Sequence, residues 1–280
     1  MEARNRDGSY VIRICDGMGA FSRTEWSRLS GTSHGQASAY NPFIAYDFLL
    51  SLEESGCATR RTGWMPQHLR LEDRQGRLIG AAPCYLKNHS QGEYVFDWGW
   101  ADAFERAGGQ YYPKLQLSVP FTPATGPRLL TAPDHDPEAV RAALAAGIRQ
   151  LTQRLGLSSA HVTFLPEEEA APLVAAEFLL RNDKQFHFVN EGYGSYGDFL
   201  ESLASRKRKA LKKERREALA DDIEIEWLTG HDLTERIWDD FFAFYMDTGS
   251  RKWGRPYLNR RFYSLIGERM ADDILLVMAK

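Results

Sequence analysis

The predicted order strand–helix–helix–strand occurs twice in this chain and limits its possible folds more than any other feature. The first copy runs from Tyr10 to about Arg70 and begins with the alternating strand YVIRIC. The second copy runs from about Asp222 to the last residue, between the strands IEIEWL and ILLVM. Repetition of one order of elements is typical of a duplicated unit. We therefore expect an α/β (α+β) fold built from two similar units.

The last strand distinguishes the second copy from the first. Ile274–Met278 is apolar throughout and lies two residues before the end of the sequence, whereas in the first copy a turn at Asp73–Gly76 leads into further strands. An apolar strand needs neighbours at its edges and cover on its faces. We therefore expect the second unit to be incomplete, and its last strand either to pair with a second copy of the chain in a homodimer or to fray.

The composition is that of an ordinary water-soluble protein, with 43% hydrophobic residues, 26% charged residues and a formal net charge of −3. Any attraction to nucleic acid or phosphate must therefore be local. No run of about 18 apolar residues occurs, so no membrane span is expected and the cytoplasm is the expected location. Cys15, Cys57 and Cys84 lack the spacing of metal ligands, which predicts buried thiols rather than a zinc site or disulfides.

A proline-rich segment, Tyr111–Leu130, contains four prolines interleaved with aromatic and apolar residues. Proline interrupts helices and strand ladders, while this much apolar surface disfavours disorder, so the segment is predicted to be strand and ordered loop. Aromatic rings beside a cation suit a polar ligand. The candidate substrate-binding residues of the segment are Tyr111, Tyr112, Lys114 and Arg128. A surface loop held only by aromatic packing is the alternative.

A basic run, Ser205–Arg216, carries eight positive residues and one negative residue within a predicted helix over Asp198–Ala220. Repulsion at this density is costly, so contact with phosphate explains the run better than solubility does. Arg206 and Lys209 are the residues assigned to phosphate, which could belong to RNA, a nucleotide sugar or CoA. Leu211 lies on an apolar stripe that is expected to pack against the protein. A solvated helix is the alternative.

Two residues are candidate general bases. Asp97 lies between aromatic residues in the predicted strand Glu93–Trp98, where burial would raise its pKa. His187 alternates with phenylalanines in the predicted strand Asp183–Asn190. The alternatives are a carboxylate paired with an arginine and a histidine with a structural role.

Two short motifs resemble ligand-binding loops. In SRKWG, Lys252 and Trp253 lie between two predicted helices and suit an anion or a stacking ring, or cap the preceding helix. Arg77–Ala82 (RLIGAA) matches the loop by which GNAT acyltransferases bind a pyrophosphate. Because it follows a turn and runs into a strand, it is predicted to be a hairpin arm and not a donor loop. The chain contains no hydrolase, metalloprotease or NTPase signature.

Several segments, taken in order, resemble the FemAB-like family of predicted bacterial N-acyltransferases. They are NPFIAYDFLLSLEESG, GWMPQHL, GAAPCYLKNHSQGEYVFD, the proline-rich segment, HVTFL, QFHFVNEGYGSYGDFLESLASRKRKALKKERRE and RKWGRPYLNRRFY. The resemblance covers nearly the whole chain and implies two GNAT-like units, residues 1–186 and 187–280. It also implies, as relatives, the Fem-type ligases that move amino acids from aminoacyl-tRNA to peptidoglycan precursors. Family members continue beyond the position of Lys280, which again predicts an incomplete second unit.

The resemblance implies transfer of an acyl or aminoacyl group from acyl-CoA or aminoacyl-tRNA to a small-molecule or peptide amine, without a metal. Such chemistry needs a positioned amine, a base and donors for the oxyanion, so no sharp signature is expected. In this interpretation Asp97 or His187 is the base, and Lys114 and Arg128 contact a phosphate or carboxylate of the acceptor. A non-catalytic RNA- or anion-binding protein that uses residues 205–216, or an inactive fragment, is the alternative.

Overall fold

A computed structural model of the protein describes residues 2–4, 10–31, 40–219, 223–251 and 255–280. The strands and helices follow in the order β1 (Glu2–Arg4), β2 (Val11–Cys15), α1 (Arg23–Ser30), α2 (Tyr46–Glu54), β3 (Trp64–Pro66), β4 (His68–Glu72), β5 (Leu78–Ala82), β6 (Tyr85–Lys87), α3 (Trp98–Arg106), β7 (Lys114–Leu117), β8 (Leu130–Thr131), α4 (Pro137–Arg154), β9 (Ala160–Val162), α5 (Ala170–Ala175), α6 (Tyr196–Ser202), α7 (Ser205–Ala218), β10 (Ile225–Leu228), α8 (Glu235–Arg251), α9 (Arg260–Arg269) and β11 (Leu276–Ala279). This mixture confirms the α/β (α+β) class. Among the described residues, no helix combines the length and the apolar character that crossing a bilayer requires.

Capping side chains lie at the starts of several helical segments. Ser22 and Glu25 form a capping box at the start of α1. The Asn41 side chain accepts the N–H of Phe43 in a short 3-10 turn that leads into α2. Asn259 accepts the N–H of Phe262 at the start of α9. Both repeated copies therefore contain the two helices that the predicted order requires.

Two sheets share a bent hairpin. The first sheet has the strand order β1-β2-β4-β5-β8, and the second has the order β3-β6-β7-β9. The segment β3–β4 bends at Gln67, and the segment β5–β6 bends opposite it. The Gln67 N–H donates to the Cys84 carbonyl at 2.8 Å between these bends. RLIGAA supplies the buried strand β5, which confirms that this motif is a hairpin arm.

The proline-rich segment passes from the second sheet to the first. Strand β7 pairs with β6 and, in parallel, with β9, whereas β8 pairs with β5. The intervening residues 118–129 form an ordered loop without regular structure. The segment is therefore strand and loop, as its prolines predict.

The two repeated copies pair their strands in the same way. Strand β2 lies antiparallel to β4, with Val11 opposite Glu72. Strand β10 lies antiparallel to β11, with Ile225 opposite Ala279. Both pairs enclose two helices, α1 and α2 in one copy and α8 and α9 in the other, and the first pair also encloses the short strand β3. A repeat of strand pairing thus accompanies the repeat of element order.

Apolar residues from both sides of residue 186 pack in one cluster. Its buried members are Leu52, Cys57, Ala58, Trp64, Tyr85, Leu233, Trp238, Phe262, Tyr263, Leu276 and Met278. A larger core joins α4 to the first and second sheets. The three cysteines are free and buried, as predicted. The division into residues 1–186 and 187–280, the incomplete second unit and the homodimer stay predictions.

Two strands predicted from the sequence are wrong. Where the sequence predicts strand Glu93–Trp98, residues 93–97 form a loop, because two of its carboxylates turn inward to a buried lysine. Asp183–Asn190 is exposed and irregular. None of the described strands pairs with this segment, so it lacks the hydrogen-bond ladder that stabilises a strand.

The predicted helix Asp198–Ala220 is divided into α6 and α7. Leu203 between them is extended, with ψ of 150°, which interrupts the helical hydrogen bonds. No residue of α7 is buried, and Leu211 is only half-buried. The predicted apolar stripe is buried at Leu200 in α6 but does not pack along α7, most of whose circumference faces solvent.

Candidate functional site

One face of the second sheet is polar and buried. Alternation along β6 and β7 places Leu86, Leu115 and Leu117 on the core side of the sheet. The opposite side, here called the polar face, carries Tyr85, Lys87, Lys114, Gln116 and His161. In the register of the sheet, Lys87 lies opposite Lys114, Tyr85 opposite Gln116, and Gln116 beside His161. Two lysines that face each other with 0% exposure are unusual, because buried charge is costly unless it is paired.

Lys114 forms the centre of the polar face. Its Nζ donates to Ser90 Oγ at 2.8 Å, to Glu93 Oε2 at 2.8 Å and to Asp97 Oδ2 at 2.5 Å. All three acceptors belong to the loop of residues 88–97, which covers the polar face. Gly92 lets this loop approach closely, because its φ is +78° and a Cβ there would lie 2.6 Å from Phe121. Lys114 is thus buried and doubly ion-paired, whereas the sequence suggests a ligand-binding wall.

Lys87 is held beside this centre by weaker contacts. Its Nζ lies 3.6 Å from the centre of the Trp64 ring, donates to the Gln91 carbonyl at 3.1 Å, and is 3.9 Å from Glu93 Oε1. Burial lowers the pKa of Lys87 to about 7, because the Glu93 charge only partly offsets the loss of solvation. Burial raises the pKa of Glu93. Lys87 can therefore gain or lose a proton near neutral pH.

Asp97 also contacts Tyr111 and lies close to His161. The Tyr111 hydroxyl donates to Asp97 Oδ2 at 2.8 Å, and His161 Nδ1 lies 3.9 Å from the same oxygen. Burial acts to raise the pKa of Asp97, but hydrogen bonding and the charge of Lys114 more than offset it, so the pKa lies below its usual range. The predicted rise in the Asp97 pKa is therefore wrong. Burial and the charge of Lys114 lower the pKa of His161 to about 4, so its imidazole is neutral at pH 7.

Several buried polar atoms of this face have no hydrogen-bond partner among the described residues. They are Trp64 Nε1, Tyr85 Oη, Glu93 Oε1, Asp97 Oδ1, Gln116 Oε1 and Ser118 Oγ. Buried polar atoms are nearly always hydrogen-bonded in folded proteins. Their concentration on one side of one sheet marks a place where a polar ligand can supply the missing bonds.

Arg128 lies apart from this cluster and is also buried. Its guanidinium donates to the backbone carbonyls of Ala124, Gly126, Pro127 and Thr163 at 2.6–3.2 Å. Burial lowers the pKa of Arg128 to about 10. These bonds direct the guanidinium at backbone rather than at a ligand, and they hold the proline-rich segment in its loop.

The other predicted site residues are not brought to the polar face. His187 is exposed and makes no hydrogen bond or ion pair with another described residue. Arg206 and Lys209 are exposed on α7, where Lys213 and Glu217 form an intrahelical pair at 3.6 Å. Lys252 and Trp253 lie outside the described residues. The predicted site residues therefore lie in two separate groups. Tyr111, Tyr112, Lys114 and Asp97 lie at the polar face and its covering loop, whereas Arg206 and Lys209 lie on α7.

Sequence reasoning misses Lys87, Glu93 and His161. The pattern that could have revealed Lys87 is the alternation Tyr85, Lys87 in β6, which matches Lys114, Gln116 in β7. Two such strands, paired in register, place their lysines opposite each other. Glu93 is harder to find, because it lies in a loop whose path depends on contacts with Lys114.

The polar face can bind a hydrogen-bond donor and exchange protons near neutral pH. It holds two carboxylates, each with one oxygen that accepts no hydrogen bond, and one amine whose pKa is about 7. In the described ranges, no three His, Cys, Asp or Glu side chains meet in a way that could hold a metal ion. Aromatic rings of Trp64, Tyr111 and Tyr112 line the cationic groups at 3.6–5.8 Å.

Comparison with known proteins places this geometry in a family. A search of curated proteins found no match. The model of the FemAB-like family, described as peptidoglycan biosynthesis/recognition, matches residues 18–280. That range includes the bent hairpin, the polar face, the proline-rich segment and the basic helix α7. Because the match covers nearly the whole chain, this protein belongs to the FemAB-like family.

Proposed function

We propose that the protein is an N-acyltransferase that moves an aminoacyl group from aminoacyl-tRNA to an amine of a peptidoglycan precursor. The observation that carries the proposal is the family match over residues 18–280, since the family is described by peptidoglycan biosynthesis/recognition. The duplicated strand–helix–helix–strand order supports it, because the resemblance implies two GNAT-like units.

The donor is tRNA rather than CoA in this proposal. The sequence that matches a CoA pyrophosphate loop forms the buried strand β5, so its backbone N–H groups are not free to bind phosphate. No residue of the basic helix α7 is buried, and its exposed cations suit a phosphate backbone. The aminoacyl-tRNA donor is made in the cytoplasm, so we place the reaction there.

The acceptor amine reacts at the polar face. Amine attack on an ester carbonyl requires removal of one proton from the nitrogen and support for the developing oxyanion. Asp97, Glu93 and Lys87 are the groups that exchange protons or accept hydrogen bonds there. His187, the second candidate base, is exposed and stays an untested prediction.

A transfer assay tests the proposal. The protein is incubated with a muramyl-peptide precursor that carries a free amine and with mixed tRNA charged with radiolabelled amino acids. A parallel reaction replaces the tRNA with labelled acetyl-CoA. We expect label in the precursor from tRNA and none from acetyl-CoA. Transfer from acetyl-CoA alone would overturn the choice of donor, and no transfer from either would overturn the enzyme proposal.

A second candidate function rests on α7 alone. Its exposed Arg206 and Lys209 would also suit a protein that binds RNA without catalysis. Salt-dependent tRNA binding without label transfer in the same assay would favour this candidate. The two functions are therefore separated by one pair of measurements on the same protein sample.

A further inference from the structure

We propose that the polar face binds the acceptor as a primary ammonium ion, held by the carboxylate oxygens of Glu93 and Asp97 that accept no hydrogen bond. The identification of this ammonium with the acceptor rests on the proposed function. The binding site itself rests on the geometry of the second sheet and of the loop that covers it.

Three of the six buried atoms of this face that lack a hydrogen-bond partner suit a ligand that donates hydrogen bonds. Glu93 Oε1, Asp97 Oδ1 and Gln116 Oε1 can only accept hydrogen bonds, apart from protonated forms of the carboxyls. Both carboxylate side chains are 1% exposed, so water does not satisfy these oxygens from bulk solvent. An ammonium group carries three donors and a positive charge, which matches acceptors of this kind.

The charges of Glu93, Asp97 and Lys114 are balanced when one further cation is present. Glu93 and Asp97 contribute two negative charges and Lys114 contributes one positive charge, so these three groups sum to −1. Lys87 completes the balance when it is protonated, and a ligand ammonium completes it when Lys87 is neutral. The titratable groups that face Lys87 are His89, Glu93, Asp97 and Lys114.

The most exposed side chain of the polar face would not repel a cation. His161 is 23% exposed on its side chain and lies 3.9 Å from Asp97. Its imidazole is neutral at pH 7, because burial and the charge of Lys114 lower its pKa to about 4. Tyr112, whose ring lies 5.0 Å from that of Tyr111, is half-buried.

Binding should therefore release a proton. The ligand arrives as R–NH3+, Lys87 loses one proton to solvent, and the total charge of the cluster with its ligand stays at zero. Below pH 7 Lys87 is protonated, so the affinity for the ammonium ligand should increase about tenfold for each unit by which the pH rises towards 7. Above pH 7 the affinity should level off, since Lys87 has already lost its proton.

Calorimetry on the unmodified protein tests this inference, with 1-butylammonium as the probe and 1-butanol as the uncharged control. Titrations at pH 6, 7 and 8 are made in phosphate and in imidazole buffer, whose ionisation enthalpies differ. We expect butylammonium alone to bind, with release of about one proton at pH 6 and close to none at pH 8. Equal heats for the two probes, or butylammonium binding without proton release at pH 6, would overturn the inference.

Two variants locate the site. Asp97→Asn keeps the size of the side chain and should weaken butylammonium binding at least tenfold, whereas Lys184→Met in an exposed, irregular segment should leave it unchanged. If Asp97→Asn does not fold, the pH series on the unmodified protein decides. Amine binding without transfer from any donor would refute the proposed function and keep this inference. Transfer with unchanged butylammonium binding by Asp97→Asn would refute this inference alone.

Discussion

The polar face and helix α7 both contain several cationic side chains, but the polar face buries them and helix α7 exposes most of them to solvent. Lys87 and Lys114 have no exposed surface and are surrounded by carboxylates and aromatic rings. The cations of α7 are exposed or half-buried on a helix with no buried residue. Charge density in the sequence is therefore a poor guide to the energy of each charge, which depends on burial and on partners.

The difference sets what each region can do. A new charge near a buried, paired lysine either shifts the pKa of that lysine or destabilises the folded protein. The polar face can therefore couple ligand binding to protonation. Exposed lysines interact weakly with their neighbours and contribute to binding mainly through released counterions. The predictions below test this contrast, beginning with the change that should cost most.

Lys114→Met should destabilise the protein by about 3–5 kcal/mol, because it leaves Glu93 and Asp97 buried without their shared cation. Urea unfolding followed by circular dichroism measures the effect. Lys209→Met, which removes the same group from α7, is the matched control. A free energy of unfolding that drops equally in the two variants would contradict the contrast between the regions.

Arg128→Met should lower the free energy of unfolding by about 2–3 kcal/mol. The substitution removes the N–H donors that bind the carbonyls of Ala124, Gly126 and Thr163. Methionine keeps most of the apolar volume, so lost hydrogen bonds dominate the change. The same urea experiment measures it. If the variant is as stable as the unmodified protein but fails to bind an acceptor, Arg128 has the ligand role that the sequence suggests.

The stability of the protein should rise with pH because of Lys87. Its pKa is about 7 in the folded chain and 10.5 in a free lysine, so the folded state binds fewer protons between these values. Unfolding takes up a proton in that window, and the free energy of unfolding rises by at most about 1.4 kcal/mol per pH unit. Below pH 7 both states hold the proton and this contribution to the slope vanishes.

Urea unfolding at pH 7, 8 and 9 measures that slope. Lys87→Met removes the titrating group and should flatten the rise over this range. Both proteins carry the same remaining groups, so the difference between their slopes isolates Lys87. A variant whose stability rises as steeply as that of the unmodified protein would show that Lys87 keeps its ordinary protonation in the folded chain.

The fold follows from local signals in the sequence, but the site does so only in part. Caps at Ser22, Asn41 and Asn259 and the alternation in Val11–Cys15 act over a few residues, so they predict the repeated elements well. The polar face depends on strand register and on the loop of residues 88–97, which are long-range properties. Asp97 and Tyr111 were found because aromatic neighbours mark them, whereas Lys87 has no such mark in the sequence.

Replacing Arg206, Lys209 and Lys213 by alanine should have the smallest effect on stability, within about 0.5 kcal/mol for each residue. All three side chains are exposed, and Lys213 has a surface partner, Glu217, at 3.6 Å. A pair of this kind contributes little, because solvent screens both charges and the long side chains lose rotamer freedom. Urea unfolding of the triple variant checks this part of the prediction.

The same triple variant should lose tRNA affinity. If each side chain neutralises one phosphate, the slope of log affinity against log salt should fall by about 2–3, because each contact releases a fraction of a counterion. Lys209→Arg and Lys213→Arg keep the charge and should keep the slope. Binding measured by filter retention between 50 and 200 mM salt spans the range in which such slopes are resolved. An unchanged slope in a folded triple variant would show that α7 is a solvated helix, and the tRNA-binding role would pass to another part of the molecule.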